Sequence, residues 1–326
     1  MTGIRIGLSL GDPGGIGPEI VVKTAASWEA DHPDDCLIIF GDRAVITNEA
    51  EALGVSLRAC AFPASGEPGP GLYISDVPAG FSGTPKRGAC AENGAASFRW
   101  FEEAAAWARN GRGRALVTAP ISKLAWNLAG LGWRGHTEYL AGIYPNAVMS
   151  FWSDRLKVAL FTHHVPLMEA IGEIKKEKLF TFLAGIERDL GASPVRPGEF
   201  LVAGLNPHAG EDGLLGREEI EEILPAVEKA RQCGIKASGP YPPDTVFLKA
   251  LDDPGAMVVS MYHDQGLIGF KLVSFSSGVN ATIGMPFIRT SPDHGTAFDI
   301  AGKGKADGSS LKAAVRLAIA LSGPGK

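Results

Sequence analysis

Ile4-Arg5-Ile6-Gly7-Leu8-Ser9-Leu10 runs directly into Gly11-Asp12-Pro13-Gly14-Gly15-Ile16-Gly17-Pro18-Glu19, an apolar β-type run followed by a glycine-rich turn and a helix from about Pro18. The pattern repeats at once, with Cys36 to Phe40 reading as a strand and Ala44 to Leu53 as a helix. Short β-rich runs alternating with longer helical patterns predict βαβ units on a mainly parallel sheet, an α/β fold. The glycine turn has two readings. Its backbone can approach a ligand closely, and the helix N-terminus behind it can face an anion. Its spacing matches neither a Walker loop nor a Rossmann fingerprint, and a tight βα turn accounts for it.

The alternation continues along the chain. Residues 63–87 are rich in Pro and Gly and hold one short strand candidate, Leu72-Tyr73-Ile74, which predicts a surface excursion or an edge. Asn93 to Asn110 reads as an amphipathic helix with Phe98, Phe101, Ala105 and Ala108 along one stripe, leading into the strand Ala115 to Thr118. Arg217 to Gln232 reads as another helix, opened by Glu218, Glu219, Glu221 and Glu222 as a solvated first turn whose charge suits the positive helix end. At 326 residues the chain exceeds the roughly 250 to 300 that one core supports, so two lobes are expected. The crossings fall near residues 125 and 275, giving 1–125 plus 275–326 as one lobe and 126–274 as the other.

Composition narrows the function classes. With 45% apolar and 21% charged residues and a formal net charge of -5, the chain shows no nucleic-acid footprint. Its four cysteines are scattered without a CxxC pair, which points to reduced thiols. The first strand begins just after Met1 and no apolar run approaches the roughly 18 residues of a membrane span, so a cytoplasmic, soluble protein with no membrane partner is expected.

Three of the seven histidines follow strand-like runs: His164 after Leu156 to Phe161, His208 after Phe200 to Leu205, and His263 after Ala256 to Met261. Ligand sites in open parallel sheets form outside the carboxyl ends of the strands, so these imidazoles can converge on one divalent metal with an open position. Each alone can instead cap a strand or bond nearby backbone. Three further segments carry polar groups. Gly135-His136-Thr137-Glu138 reads as a polar helix start. Pro242-Pro243-Asp244 puts a carboxylate in a rigid turn, where it caps the next helix or orients a proton carrier. Lys271, Asn280 and Arg289 form a candidate clamp for phosphate and carboxylate, or else are ordinary surface polar groups.

His294-Gly295-Thr296-Ala297-Phe298-Asp299-Ile300-Ala301-Gly302-Lys303-Gly304-Lys305-Ala306-Asp307 resembles the adenosine-binding loop of the isocitrate and isopropylmalate dehydrogenase group. The segments GDPGGIGPE, GHTEYLA, LNPHAGEDGLLGREE, PPDTVF, MYHDQGL and GMPFIRTSPDHGTAFDIAGKGKAD, taken in order, are similar to the 4-hydroxythreonine-4-phosphate dehydrogenase family of pyridoxal phosphate (vitamin B6) biosynthesis, from about residue 4 to 318. The resemblance implies an isocitrate/isopropylmalate dehydrogenase-like fold of two α/β lobes with the active-site cleft between them. It implies a homodimer with a divalent metal (zinc, cobalt or magnesium) shared between subunits and held by His164, His208 and His263. His136, Thr137, Lys271, Asn280 and Arg289 would bind a small phosphorylated hydroxy acid, with His136, Asp244 and Lys271 in the catalytic centre. The last loop, through His294, Gly295, Asp299 and Asp307, would bind NAD, with Asp299 on the adenosine ribose favouring it over NADP. The implied reaction is oxidation of 4-hydroxy-L-threonine 4-phosphate followed by decarboxylation. Close relatives act on D-threonate or D-erythronate 4-phosphate, and a non-catalytic NAD- or metal-binding sensor on the same fold is the reading from another class. Isopropylmalate-type enzymes hold metal with aspartates, which this chain replaces with histidines, and intact GHTE and PFIRTS set it apart from dihydrodiol dehydrogenases.

Overall fold

In the computed structural model, which describes residues 3–63, 65–275 and 277–323, the alternation seen in the sequence gives twelve strands. They are β1 (Arg5–Ser9), β2 (Cys36–Gly41), β3 (Cys60–Ala61), β4 (Gly71–Asp76), β5 (Ala115–Thr118), β6 (Val148–Trp152), β7 (Lys157–Leu160), β8 (Phe200–Ala203), β9 (Ala237–Tyr241), β10 (Met257–Ser260), β11 (Val279–Ile283) and β12 (Ile288–Pro292). The chain divides into two compact units, 1–145 with 285–326, and 146–284.

In the first unit the order is β3-β4-β2-β1-β5-β12, and every pairing is parallel. β2 is buried along its whole length, as a parallel strand covered on both faces must be, which is why its sequence is a continuous apolar run. Asp42 starts the helix that follows by accepting from the amides of Ala44 and Val45. The amphipathic pattern forms the helix Ala91–Arg109, whose Phe101, Ala104, Ala105 and Ala108 pack with Ile38, Phe40 and Leu116. β4 is not an edge: it sits between β3 and β2, with Leu72 and Ile74 buried. The Pro- and Gly-rich flanks hide it in the sequence because they resemble a loop on both sides.

In the second unit the order is β11-β6-β7-β10-β8-β9. β11, β6 and β7 pair antiparallel, while β7, β10, β8 and β9 run parallel. Its core holds Phe151, Val158, Leu201, Val258 and Phe270. These units are bounded at 145/146 and 284/285, where the sequence places crossings near 125 and 275. Trp126 and Leu140 share a core with Phe101 and Leu116, which ties the helices Lys123–Leu128 and His136–Ile143 to the first unit. Antiparallel pairing with β6 keeps β11 in the second. Among the described residues, no helix is long and apolar enough to cross a membrane.

Candidate active site

Because β7, β10 and β8 are adjacent and parallel, their carboxyl ends lie on one edge of the second unit's sheet. With strands about 4.8 Å apart, side chains just beyond the three ends are within reach of a common centre. His164, His263 and His208 are the residues placed there. The rings of His164 and His263 stand 5.6 Å apart between centroids, tilted by 41°. His263 Nδ1 lies 2.7 Å from Asp264 Oδ1, an arrangement that favours the proton on Nδ1 and leaves the lone pair on Nε2.

Side chains that are not ligand candidates pin these ends together. Thr162 Oγ1 donates to Met261 O at 2.7 Å, joining the segment before His164 to that before His263. Gln265 accepts from Met261 N at 2.6 Å and donates to Gly204 O at 2.8 Å, joining the ends of β10 and β8. His164 and His208 both have left-handed backbone, at φ 50° and 54°. For non-glycine residues that geometry costs about 1–2 kcal/mol each and persists only where surrounding contacts impose it. Among the described residues, no group of three or more His, Cys, Asp or Glu side chains is placed to hold a metal ion within the single chain. Imidazole is the donor type that suits a divalent ion; His164 and His263 lie near one another and His208 follows the neighbouring strand end.

In the first unit the C-terminal end of β5, β12 and the start of the helix His136–Ile143 build a second constellation. Arg289 is 5% exposed; its Nε and Nη2 donate to Thr118 Oγ1 at 3.0 and 2.6 Å, and Nη2 lies 3.2 Å from His136 Nδ1. A guanidinium only donates, so Nδ1 accepts and the proton of the neutral ring is on Nε2. Burial, and then the charge of Arg289, hold the His136 pKa well below its usual value. The ring packs 4.4 Å from Phe101 and 5.3 Å from Trp126, and Nε2 is buried without a hydrogen-bond partner. Burial lowers Arg289 itself to about 10, partly opposed by Glu138. A buried cation held by neutral acceptors is set up to receive an anion. Thr137, next to His136 in the first turn of that helix, is half-buried.

The glycine turn and the loop 294–307 form one assembly. Ile16 N donates to Thr296 O at 2.9 Å, and a Cβ on Gly15 would stand 2.7 Å from that same oxygen, so the close approach made possible by glycine is to the protein's own loop. Glu19 Oε1 accepts from Ala306 N and from Lys23 Nζ, and that ammonium also donates to the carbonyls of Gly304 and Ala306. Thus anchored, the loop presents an open surface: His294 and Asp299 are exposed, and a Cβ on Gly295 would meet nothing within 4 Å.

A family model described as "Pyridoxal phosphate biosynthetic protein PdxA" matches residues 34–318. The chain belongs to that family. It is 40% identical to a 4-hydroxythreonine-4-phosphate dehydrogenase of Desulforapulum autotrophicum, over 96% of this chain and 94% of that protein. It is 39% identical to a D-threonate 4-phosphate dehydrogenase of Salmonella typhimurium, over 97% and 98%. A 4-hydroxythreonine-4-phosphate dehydrogenase structure from Klebsiella pneumoniae superimposes with a TM-score of 0.84 at 36% identity, covering 99% of both chains. A β-decarboxylating dehydrogenase of Thermococcus kodakarensis, at 15% identity and a TM-score of 0.53 over 96% of this chain and 82% of that one, shares the fold.

Asp244 is exposed; the following helix, Val246–Asp252, has Thr245 at its N-cap position and no side-chain cap bond, so the expected cap is not made. Lys271 is half-buried in the last turn of the helix His263–Ser274, and Asn280 on β11 keeps a buried Oδ1 without a partner. Asp307 accepts from the amide and hydroxyl of Ser309, which lowers its pKa and fixes the start of the last helix.

Besides Glu19, two carboxylates have a burial that the sequence does not reveal. Glu219 is not solvated: it is 2% exposed, within a π-helical turn, Glu219–Ile223, that precedes the helix Leu224–Gln232. Asp12 is fully buried; burial raises its pKa to about 6 against amide hydrogen bonds from Gly14 and Ser122, and its Oδ2 is unpartnered. Because the folded value exceeds the ordinary 3.8, this group's contribution to stability is fully present below pH 3.8 and is lost as pH rises to about 6. Asp12→Asn removes that loss, so its stability relative to wild type is expected to rise by on the order of 3 kcal/mol between pH 4 and 7. Urea melts across that range check this, and parallel pH profiles for the two proteins would overturn it.

Proposed function

We propose that this chain oxidises 4-hydroxy-L-threonine 4-phosphate to 2-amino-3-oxo-4-phosphooxybutanoate with NAD as hydride acceptor and a divalent metal as Lewis acid, in the biosynthesis of pyridoxal 5'-phosphate. The product ketone is β to a carboxylate, and loss of carbon dioxide gives 3-amino-2-oxopropyl phosphate. The observation that carries the reading is the placement of three histidines beyond three adjacent parallel strand ends in a member of a family whose named relatives are dehydrogenases. When bound, the metal polarises a substrate oxygen and makes its hydroxyl more acidic, while NAD takes the hydride.

The chain's own residues divide the remaining work. His164, His208 and His263 would hold the metal. Arg289 and Thr137 would hold an anionic substrate group in the first unit, and Lys271 and Asn280 would bind substrate in the second. His136 has its Nδ1 lone pair directed at Arg289 and its Nε2 buried, which supports positioning of the guanidinium over removal of a substrate proton. The loop from His294 to Asp307 would carry NAD, its Asp299 carboxylate on the adenosine ribose.

NADH formation by the metal-loaded protein with 4-hydroxy-L-threonine 4-phosphate, D-threonate 4-phosphate and D-erythronate 4-phosphate tests the substrate. A preference of roughly a hundredfold for the first, about 3 kcal/mol in transition-state binding, is expected. The 39% identity to a D-threonate 4-phosphate dehydrogenase, beside 40% to a 4-hydroxythreonine-4-phosphate dehydrogenase, makes that acid the second reading. A sugar-acid preference would retain the site and change the pathway, whereas binding of NAD or metal with no turnover would favour a sensor.

A homodimer is part of the proposal. On the helix His263–Ser274 and just beyond it, Ile268, Leu272 and Phe275 lie at helical spacing and are 64%, 83% and 77% exposed. Such an apolar stripe suits a subunit contact. Leu272→Asp is expected to convert a dimer to monomers in sedimentation equilibrium; a wild-type chain that is already monomeric would refute it.

A further inference from the structure

We propose that Glu219 is a positioning residue for His208, a buried carboxylate that holds the left-handed turn presenting this imidazole to the divalent metal. The inference rests on the metal reading above and adds a residue to it. From His208 to Asp212, five successive residues have φ between 44° and 84°, and only Gly210 among them lacks a side chain. A turn of that hand is unfavourable for L-residues and needs external contacts to persist.

Glu219 supplies such contacts at the entrance of the turn. Its Oε1 accepts from the backbone amides of Leu205 and Asn206, both at 2.7 Å. Its Oε2 accepts from Asn206 Nδ2 at 2.9 Å, and the same amide donates to Glu218 Oε2 at 2.7 Å. The carboxylate also lies directly beneath the turn, since a Cβ on Gly210 would come within 2.7 Å of Glu219 Oε2. On the other side of the strand end, Gly204 O is held by Gln265 from the segment of His263. His208 is thus two residues beyond a point fixed from both directions, although its own ring is exposed. A solvated first-turn glutamate would make none of these bonds. The π-helical turn at Glu219 is the irregularity that sets this part of the helix apart from a regular α-helix.

The test compares Glu219→Ala, Glu219→Gln and His208→Ala, with Glu221→Gln as an exposed control, in the full chain. Three quantities are measured: affinity for Co²⁺ alone by chelator competition, the visible absorption of the Co²⁺ complex, and hydrogen exchange of amides 205–212 without metal. Glu219→Ala is expected to weaken Co²⁺ binding by roughly 10- to 100-fold, as loss of an outer carboxylate does at metal sites, to shift the cobalt spectrum, and to deprotect amides 205–212 while global melting stays cooperative. Glu219→Gln keeps an oxygen for the two backbone amides but cannot accept from Asn206, so an intermediate loss is expected; it decides the matter if the alanine variant does not fold. Wild-type affinity, spectrum and exchange in the glutamine variant, or in a folded alanine variant, would overturn the proposal. If His208→Ala loses Co²⁺ while the Glu219 variants do not, only the positioning role fails. If His208→Ala itself binds Co²⁺ as tightly as wild type, the metal reading fails with it.

Discussion

Replacing His208 with Ala is expected to remove the bound divalent metal and the turnover together while leaving the fold intact. The side chain is exposed and lies beyond the end of β8, outside the packed core that includes Leu201 and Ala203, so its truncation is expected to change stability by only about 0.5 kcal/mol. Its loss takes one of three candidate ligands and leaves the facing pair His164 and His263. Two imidazoles hold a divalent ion far less tightly than three. Since loss of a group that only supports a metal-binding side chain typically costs 10- to 100-fold, loss of a side chain that itself binds the metal should lower affinity and turnover by roughly a thousandfold or more. Metal content after gel filtration, circular-dichroism melting and NADH formation measure the three quantities independently. A folded, metal-free variant with full turnover would sink the metal-assisted mechanism.

The sequence made part of this edge legible for a simple reason. A buried parallel strand is a short apolar run, and a histidine a few residues after such a run must lie near the strand's carboxyl end; three runs therefore marked three positions. Their adjacency could not be read. β7, β10 and β8 are neighbours in the sheet but far from consecutive in the chain, and only the fold brings their ends together. The pinning contacts were hidden for a related reason. Glu219 and Glu19 each sit in the opening turn of a helix, where glutamate is ordinarily solvated and favoured by the helix dipole. Their partners are backbone amides, which have no signature in sequence. The Glu19 partner Ala306 lies 287 residues away. The units are bounded at 145/146 and 284/285, against the expected 125 and 275, because Trp126 packs with Phe101 and β11 pairs with β6, contacts between segments distant in the chain.

Replacing Arg289 with Met is expected to separate stability from function. The wild-type guanidinium is buried, its pKa is drawn down to about 10 by that burial, and its hydrogen bonds go to the neutral acceptors Thr118 and His136. Such a cation is costly to bury, and an apolar side chain of similar length in its place is often neutral or stabilising. The ligand-free variant should therefore melt at or above the wild-type temperature. Catalysis should behave oppositely: losing one partner of a buried, hydrogen-bonded charge pair costs about 2–5 kcal/mol, so kcat/KM should fall roughly 30- to several-thousandfold. Arg289→Lys should recover little, because an ammonium cannot hold Thr118, His136 and a bidentate anion together. The change should also register at His136, whose pKa loses the second of its two depressing influences and rises, though burial keeps it below the ordinary value. Imidazole NMR shifts against pH read this directly. Inorganic phosphate adds a last discriminator, since it should raise the melting temperature of the wild type but not of the Met variant if the guanidinium is the anion receptor. A Met variant that is less stable yet retains its kcat/KM would make Arg289 a structural cation and move substrate anion recognition elsewhere.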